Sequence, residues 1–166
     1  TEFLRENAQI LDTNNWNLIH YATGYYQEDD LSEVIRLLIE HGANVDIYDK
    51  DGSNPLHLAC GYYKGNNLSE VIRLLMEHGA RADASDKYDM TPLHIVCRYY
   101  EGNNSSELIH LLIKHGAEVN ARDDYDKTPL LLASGHCKKS FSEVLRVLID
   151  HGAKVDLCDK AGWNPL

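Results

Sequence analysis

Two kinds of apolar pattern alternate along this chain. One is amphipathic: Val71, Leu74 and Leu75, and later Val144, Val147 and Leu148, recur at the intervals of one helix face. The other is shorter, with Leu56, Ala59 and Cys60 on one stripe whose small side chains allow close approach to a neighbouring layer. Each amphipathic stretch ends in His-Gly-Ala, with its glycine at Gly42, Gly79, Gly116 and Gly152, a spacing of 37, 37 and 36 residues. A period in that range marks an array of units, each stacked only on its neighbours. The pattern therefore predicts an all-α solenoid of helix-turn-helix units.

The punctuation agrees with the periodicity. The first helix of each unit (helix A) starts after Asn17, Asn54, Thr91 or Thr128, residues that can cap an orphan N–H of the first turn. Pro55, Pro92, Pro129 and Pro165 follow a cap, where a missing N–H costs nothing, and Leu18 takes that place in the first unit. The second helix (helix B) is expected to open with a capping box, Asp30/Glu33, Asn67/Glu70, Asn104/Glu107 and Ser140/Glu143. His41, His78, His115 and His151 then stand in the last turn, where positive charge suits the helix dipole, and the following glycine stops the helix at positive φ. Polar turns such as Val45 to Ser53 join the units, with short β-like pairs flanking Asp49-Lys50-Asp51-Gly52. Asp89 and Asp126 stand where Gly52 and Gly162 stand and are expected to take left-handed geometry.

Residues 1–11 read as the tail of a preceding unit, Phe3 to Ala8 lying over Leu38 to Ala43 with Asn7 in the glycine's place as a C-cap. The turn from Asp12 to Trp16 is expected to be about two residues short by that alignment. Full units follow at 12–48, 49–85, 86–122 and 123–158, and 159–166 begins another. Both ends fall inside units, which reads as a piece of a longer array.

Charge narrows the classes of partner. Twenty-six acidic against 16 basic side chains give a net charge of −10. Non-specific binding to nucleic acid or anionic lipid needs the opposite sign. No apolar run approaches the roughly 20 residues of a membrane span, and no signal peptide opens the chain. Of Cys60, Cys97, Cys137 and Cys158, the first two occupy equivalent places in successive units. Stacked helices about 8–10 Å apart exceed the roughly 7 Å Cα limit of a disulfide. Free thiols point to a reducing compartment, the cytoplasm or nucleus.

At Asn54-Pro55-Leu56-His57-Leu58-Ala59 and Thr91-Pro92-Leu93-His94 the chain resembles the ankyrin repeat family, and the Gly-Ala endings and Val119-Asn120-Ala121 fit it too. The resemblance covers nearly the whole chain. It implies antiparallel helices with a β-hairpin finger projecting to one side, and a binding scaffold whose partners contact the fingertips and the concave face formed by helix A. It also implies that His20, His57 and His94 are structural, bonded to neighbouring turn backbone. These units exceed the family's usual length of about 33 residues by three or four. The surplus falls at Gly61 to Asn67, and at Tyr25-Tyr26, Tyr99-Tyr100 and His136-Cys137 in the other units, where helix A is expected to gain a turn before a longer loop.

The tyrosine pairs divide by helical phase. Tyr26, Tyr63 and Tyr100 share the apolar stripe and are expected to cap the core. Tyr25, Tyr62 and Tyr99 fall one position earlier, on the concave side, as binding residues or as plain amphipathic cover. Fingertip positions differ most between units: Lys50, Asp51 and Ser53, then Lys87, Tyr88 and Met90, then Asp124, Tyr125 and Lys127, then Lys160, Ala161 and Trp163. Asp49, Asp86, Asp123 and Asp159 hold a shared frame around them. Such variation reads as a contact surface or as drift on a solvated loop. Arg98 replaces the Gly61 type on the concave side, so a partner is expected across Tyr88, Met90, Arg98, Tyr99 and Tyr125.

Nine histidines raise the question of metal, but no Cys-x-x-Cys or His-Glu-x-x-His spacing exists, and neither metal nor cofactor is expected. Neither a phosphate-binding glycine loop nor a Gly-x-Ser-x-Gly elbow appears, so no enzyme and no small-molecule substrate is expected. Leu112, Glu118, Val119 and Asn120 resemble the ankyrin pattern for asparaginyl β-hydroxylation, and the other units carry Asp46, Asp83 and Asp156 at that place. The reading is a scaffold for another protein of basic or neutral surface. The alternative is a structural, targeting or autoregulatory segment of a larger channel, enzyme or effector.

Overall fold

The computed structural model describes residues 7–8, 10–100, 102, 104–136 and 141–165, with His136 described in its backbone alone. The expected tail at Phe3 to Glu6, the cysteine at Cys137, the cap at Ser140 and the terminal Leu166 lie outside the described residues. So does the helix that Asn7 was expected to cap.

The chain divides into two compact units, residues 1–81 and 82–166. In the first, α1 (Leu18–Tyr25), α2 (Leu31–Glu40), α3 (Pro55–Tyr62) and α4 (Leu68–Glu77) alternate short and long. In the second the same order is made by α5 (Pro92–Tyr99), α6 (Ser105–Lys114), α7 (Pro129–His136) and α8 (Phe141–Asp150). Within each unit like packs on like: α1 on α3 and α2 on α4, then α5 on α7 and α6 on α8. Each short helix also packs on the long one that follows it. The first core is built on Ile19, Leu31, Ile35, Leu56, Leu68, Ile72 and Leu75, the second on Leu93, Leu108, Ile109, Leu112, Leu130 and Leu148. Each such side chain contributes about 1.5–3 kcal/mol by leaving water, so stability resides in the stacked layers.

The capping boxes belong to helix A, not to helix B. The side chains of Asn17, Asn54 and Thr91 accept from the backbone of the third helical residue, while His20, His57 and His94 at that place accept the cap's own N–H. The expected boxes at Asp30, Asn67 and Asn104 are absent: none makes a side-chain cap hydrogen bond. Backbone geometry gives the reason. These three residues have ψ of 14°, 23° and 23°, outside the extended region from which a cap side chain folds over the first turn. Their side-chain oxygens accept instead from the hydroxyls of Tyr26, Tyr63 and Tyr100, four residues earlier. Tyr63 is completely buried and also donates to the Glu28 carbonyl at 3.0 Å. Tyr26 and Tyr100, expected in the core beside it, are only half-buried.

The fingers are turns, and no strand forms among the described residues. In each, one aspartate oxygen accepts two backbone N–H groups: Asp49 from Asp51 (2.9 Å) and Ser53 (2.8 Å), Asp86 from Tyr88 (2.8 Å) and Met90 (3.0 Å), Asp123 from Tyr125 and Lys127 (both 2.8 Å). The residue three after the aspartate takes positive φ, 77° at Gly52, 57° at Asp89 and 61° at Asp126, as the Gly-to-Asp exchange predicts. Asn15 does the same at 63°, and Asp12 accepts from Asn14 and Trp16, so the first turn is of full length. Any shortening lies before Asp12. Adjoining turns are tied by one backbone bond each, Lys50 N–H to Asn14 at 3.1 Å and Asp124 N–H to Tyr88 at 2.9 Å.

Candidate protein-binding surfaces

The frame aspartates hold the turn backbones, and several of the side chains displayed between them face outward. On the second unit, Tyr88 and Tyr125 project from adjoining turns with 51% and 63% of their surface exposed. Lys87 places its Nζ 5.0 Å from the Tyr88 ring centre, a cation over the ring's negative face. Asp124 and Lys160 are exposed beside them, and the Lys160 ammonium donates to the Asp124 carbonyl. Lys127 is half-buried, its carbonyl taken by His94 at 3.1 Å.

Met90 does not belong to this surface. It is 7% exposed. Its N–H and carbonyl are both bound by Asp86, and a flexible thioether gains most by filling apolar space.

Arg98 and Tyr99 lie at the opposite end of α5 from the turn, about 12 Å along an eight-residue helix. Tyr99 is 48% exposed and the Arg98 guanidinium carbon sits 5.1 Å from its ring centre. The residues read from the sequence thus form two patches on the second unit, one at the turns and one at the end of α5. On the first unit, Lys50 and Asp51 are exposed, Ser53 is half-buried, and Tyr62 and Tyr25 are 60% and 70% exposed at the ends of α3 and α1.

Sequence reasoning missed a third group on the first unit. Trp16, at the fifth position of its turn, packs against Tyr21 (ring centres 5.2 Å apart) and Tyr25 (5.6 Å), and the two tyrosines lie 6.2 Å apart. The signal was present, since positions four apart share a helix face.

Buried histidines link turns to helices. In the second unit His94 is completely buried, its Nδ1 bound by the Thr91 cap and its Nε2 donating to the carbonyls of Ala121 and Lys127, both 3.1 Å. His20 faces the equivalent carbonyls, Ile47 and Ser53, but its buried Nε2 makes no well-formed hydrogen bond. Burial lowers the pKa of both rings, partly offset by those carbonyls. Asn120 is half-buried, its Nδ2 donating to the Gly152 carbonyl (3.0 Å) and its Oδ1 accepting from Lys154 N–H (2.9 Å).

No group of three or more histidines, cysteines or carboxylates is placed to hold a metal among the described residues. His110 and His151 meet as a pair, with 3.0 Å between ring nitrogens. Cys60 and Cys97 are buried, Cys158 is exposed, and none of the three is in a disulfide. An open cleft of about 540 Å³ runs along α7 between Leu131, Leu132 and Trp163, with Lys127 and Asp159 as its only titratable lining groups among the described residues. No helix among the described residues is long and apolar enough to cross a membrane.

A comparison with curated proteins returned no match. A family model described as ankyrin repeats, three copies long, matches residues 1–86, 28–123 and 101–166. Together these matches span the chain, and the paired helices of both units are consistent with them. The chain belongs to the ankyrin repeat family.

Proposed function

We propose that this chain is a scaffold that binds another protein through the turn tips and the exposed ends of its short helices. Ankyrin repeats are generally protein–protein interaction modules and are typically non-enzymatic. Within the second unit the reading places Tyr88 and Tyr125, with Lys87 and Asp124, at the centre of the contact, and Arg98 and Tyr99 beyond it. One observation carries it: two large aromatic rings are held outward on turns whose backbones are already tied to each other and to their aspartates. Little ordering entropy is then left to lose on contact, and tyrosine is among the residues that dominate interface energies. The charge of −10 favours a partner of basic or neutral surface. Cysteines held outside disulfides support a reducing compartment, the cytoplasm or nucleus, as the place of action.

Affinity capture with the full chain and with a Tyr88→Ala/Tyr125→Ala variant, read by quantitative mass spectrometry, tests this. Partners retained by the parent should fall at least tenfold with the variant. Equal retention would remove the turn tips from the contact.

A further inference from the structure

Tyr25, Tyr62 and Tyr99 stand at equivalent places in α1, α3 and α5. In α5 the chain covers its own ring with the Arg98 guanidinium. Gly24 and Gly61 stand where Arg98 stands, so α1 and α3 supply no such group. The chain's own cation–ring pairs at Tyr88 and Tyr99 both lie in the second unit.

In α1 the glycine has another role. A Cβ at Gly24 would meet the Trp16 ring at 3.3 Å, so the bare backbone gives the indole room to lie against the helix. Trp16 also stacks over the buried His20, ring centres 5.8 Å apart. Two of the three polar ends in the aromatic group are committed to carboxylates. Trp16 Nε1–H donates to Asp49 at 3.0 Å and the Tyr21 hydroxyl to Asp12 at 2.6 Å. What remains for solvent is ring surface and the Tyr25 hydroxyl, with Tyr21 44% and Tyr25 70% exposed. The Tyr21 hydroxyl and the Trp16 and Asn14 N–H groups hold the Asp12 carboxyl below its usual pKa, so it stays ionised beside the rings. Charge in this stretch is mainly negative: between positions 12 and 51 nine Asp and Glu stand against two cations, Arg36, which pairs with Glu70 at 3.6 Å, and Lys50.

We propose that Trp16, Tyr21 and Tyr25 form a docking platform for an arginine side chain of a partner protein, with Asp12 and Asp49 as countercharge. A guanidinium is planar and weakly hydrated, so it lies flat on aromatic rings where an ammonium holds its water. The chain meets the equivalent ring of α5 with an arginine of its own. The platform rests on the scaffold reading in taking its ligand from a protein, but it uses residues of the first unit alone.

The full chain carrying Trp163→Phe keeps Trp16 as its single indole, the parent having two. Titration with acetyl-Gly-Arg-Gly-amide should change Trp16 fluorescence saturably. The citrulline counterpart, equal in shape and uncharged, should bind at least tenfold more weakly. Tyr25→Ala, at an exposed ring, should also weaken binding about tenfold with unchanged far-UV circular dichroism, and Tyr99→Ala should not. No saturable change, equal binding of citrulline, or full binding by Tyr25→Ala would each overturn the platform. The Tyr88→Ala/Tyr125→Ala variant should bind the peptide as the parent does. Retained peptide binding with partner capture indifferent to Tyr88 and Tyr125 would uphold the platform and reject the turn-tip contact.

Discussion

The hydroxyl of Tyr63 is bound by the side chain of Asn67, the residue that opens α4. That contact closes the loop between α3 and α4, and the same pairing recurs at Tyr26 with Asp30 and Tyr100 with Asn104. Gly65 lies inside the closure, where a Cβ would overlap the Tyr63 ring and hydroxyl, and Gly102 stands likewise against Tyr100. Gly65→Ala is expected to destabilise the chain by about 1–3 kcal/mol, the range for overpacking. Tyr63→Phe, which keeps the ring and loses the hydroxyl's two acceptors, should cost about 1–2 kcal/mol. Urea unfolding midpoints check both, and an unchanged midpoint for Gly65→Ala would reject the closure.

Met90 and Tyr88 separate stability from binding. Met90→Ala should cost about 2–5 kcal/mol in unfolding free energy, as for a buried side chain truncated in a core. Tyr88→Ala should lie within about 0.5 kcal/mol of the parent, as surface substitutions do, and lose partner capture. Denaturation curves beside capture assays would show the crossing pattern.

Acid should weaken the fold in the range where histidine titrates. The folded-state pKa values of His20 and His94 lie below the ordinary 6.5 because burial penalises the imidazolium. As pH falls from about 6.5 the unfolded chain therefore takes up protons first, and the stability held by the neutral rings drains away. The urea midpoint should be lower at pH 5.5 than at pH 8, and His94→Gln should flatten that dependence. A midpoint that rises on acidification would reverse the assignment.

Asn120→Asp tests the side-chain amide that reaches Gly152. Its oxygen partner, Lys154 N–H, is kept by a carboxylate, as Arg81 N–H is kept by Asp46 at 3.3 Å. The donor to the Gly152 carbonyl is lost. A cost of about 0.5–1.5 kcal/mol is expected, the net worth of one hydrogen bond, and a larger one for Asn120→Ala. Equal stability for all three chains would show that the amide contributes nothing.

Fold and site were legible to different depths. The His-Gly-Ala endings and proline-bearing caps placed the helices, because left-handed glycine and a proline in the first helical turn each admit few alternatives. Asp89 and Asp126 were readable for the same reason. The boxes at Asp30, Asn67 and Asn104 misled because the motif's spacing is necessary for a cap and the backbone ψ decides, and ψ is set by a tyrosine-closed loop. Met90 misled because variation among units marks a position as unconstrained only if its neighbours are alike. Trp16 and Tyr21 were overlooked because one sits on a turn and the other on a helix, and their meeting depends on the missing side chain of Gly24.

The turn built on a single aspartate oxygen grips only the backbone of the residues it arches over. Their side chains take no part in that grip. Positions 50, 88, 124 and 125 can therefore be rewritten as cassettes, grafting a new specificity while the architecture beneath goes on folding unaware of the change.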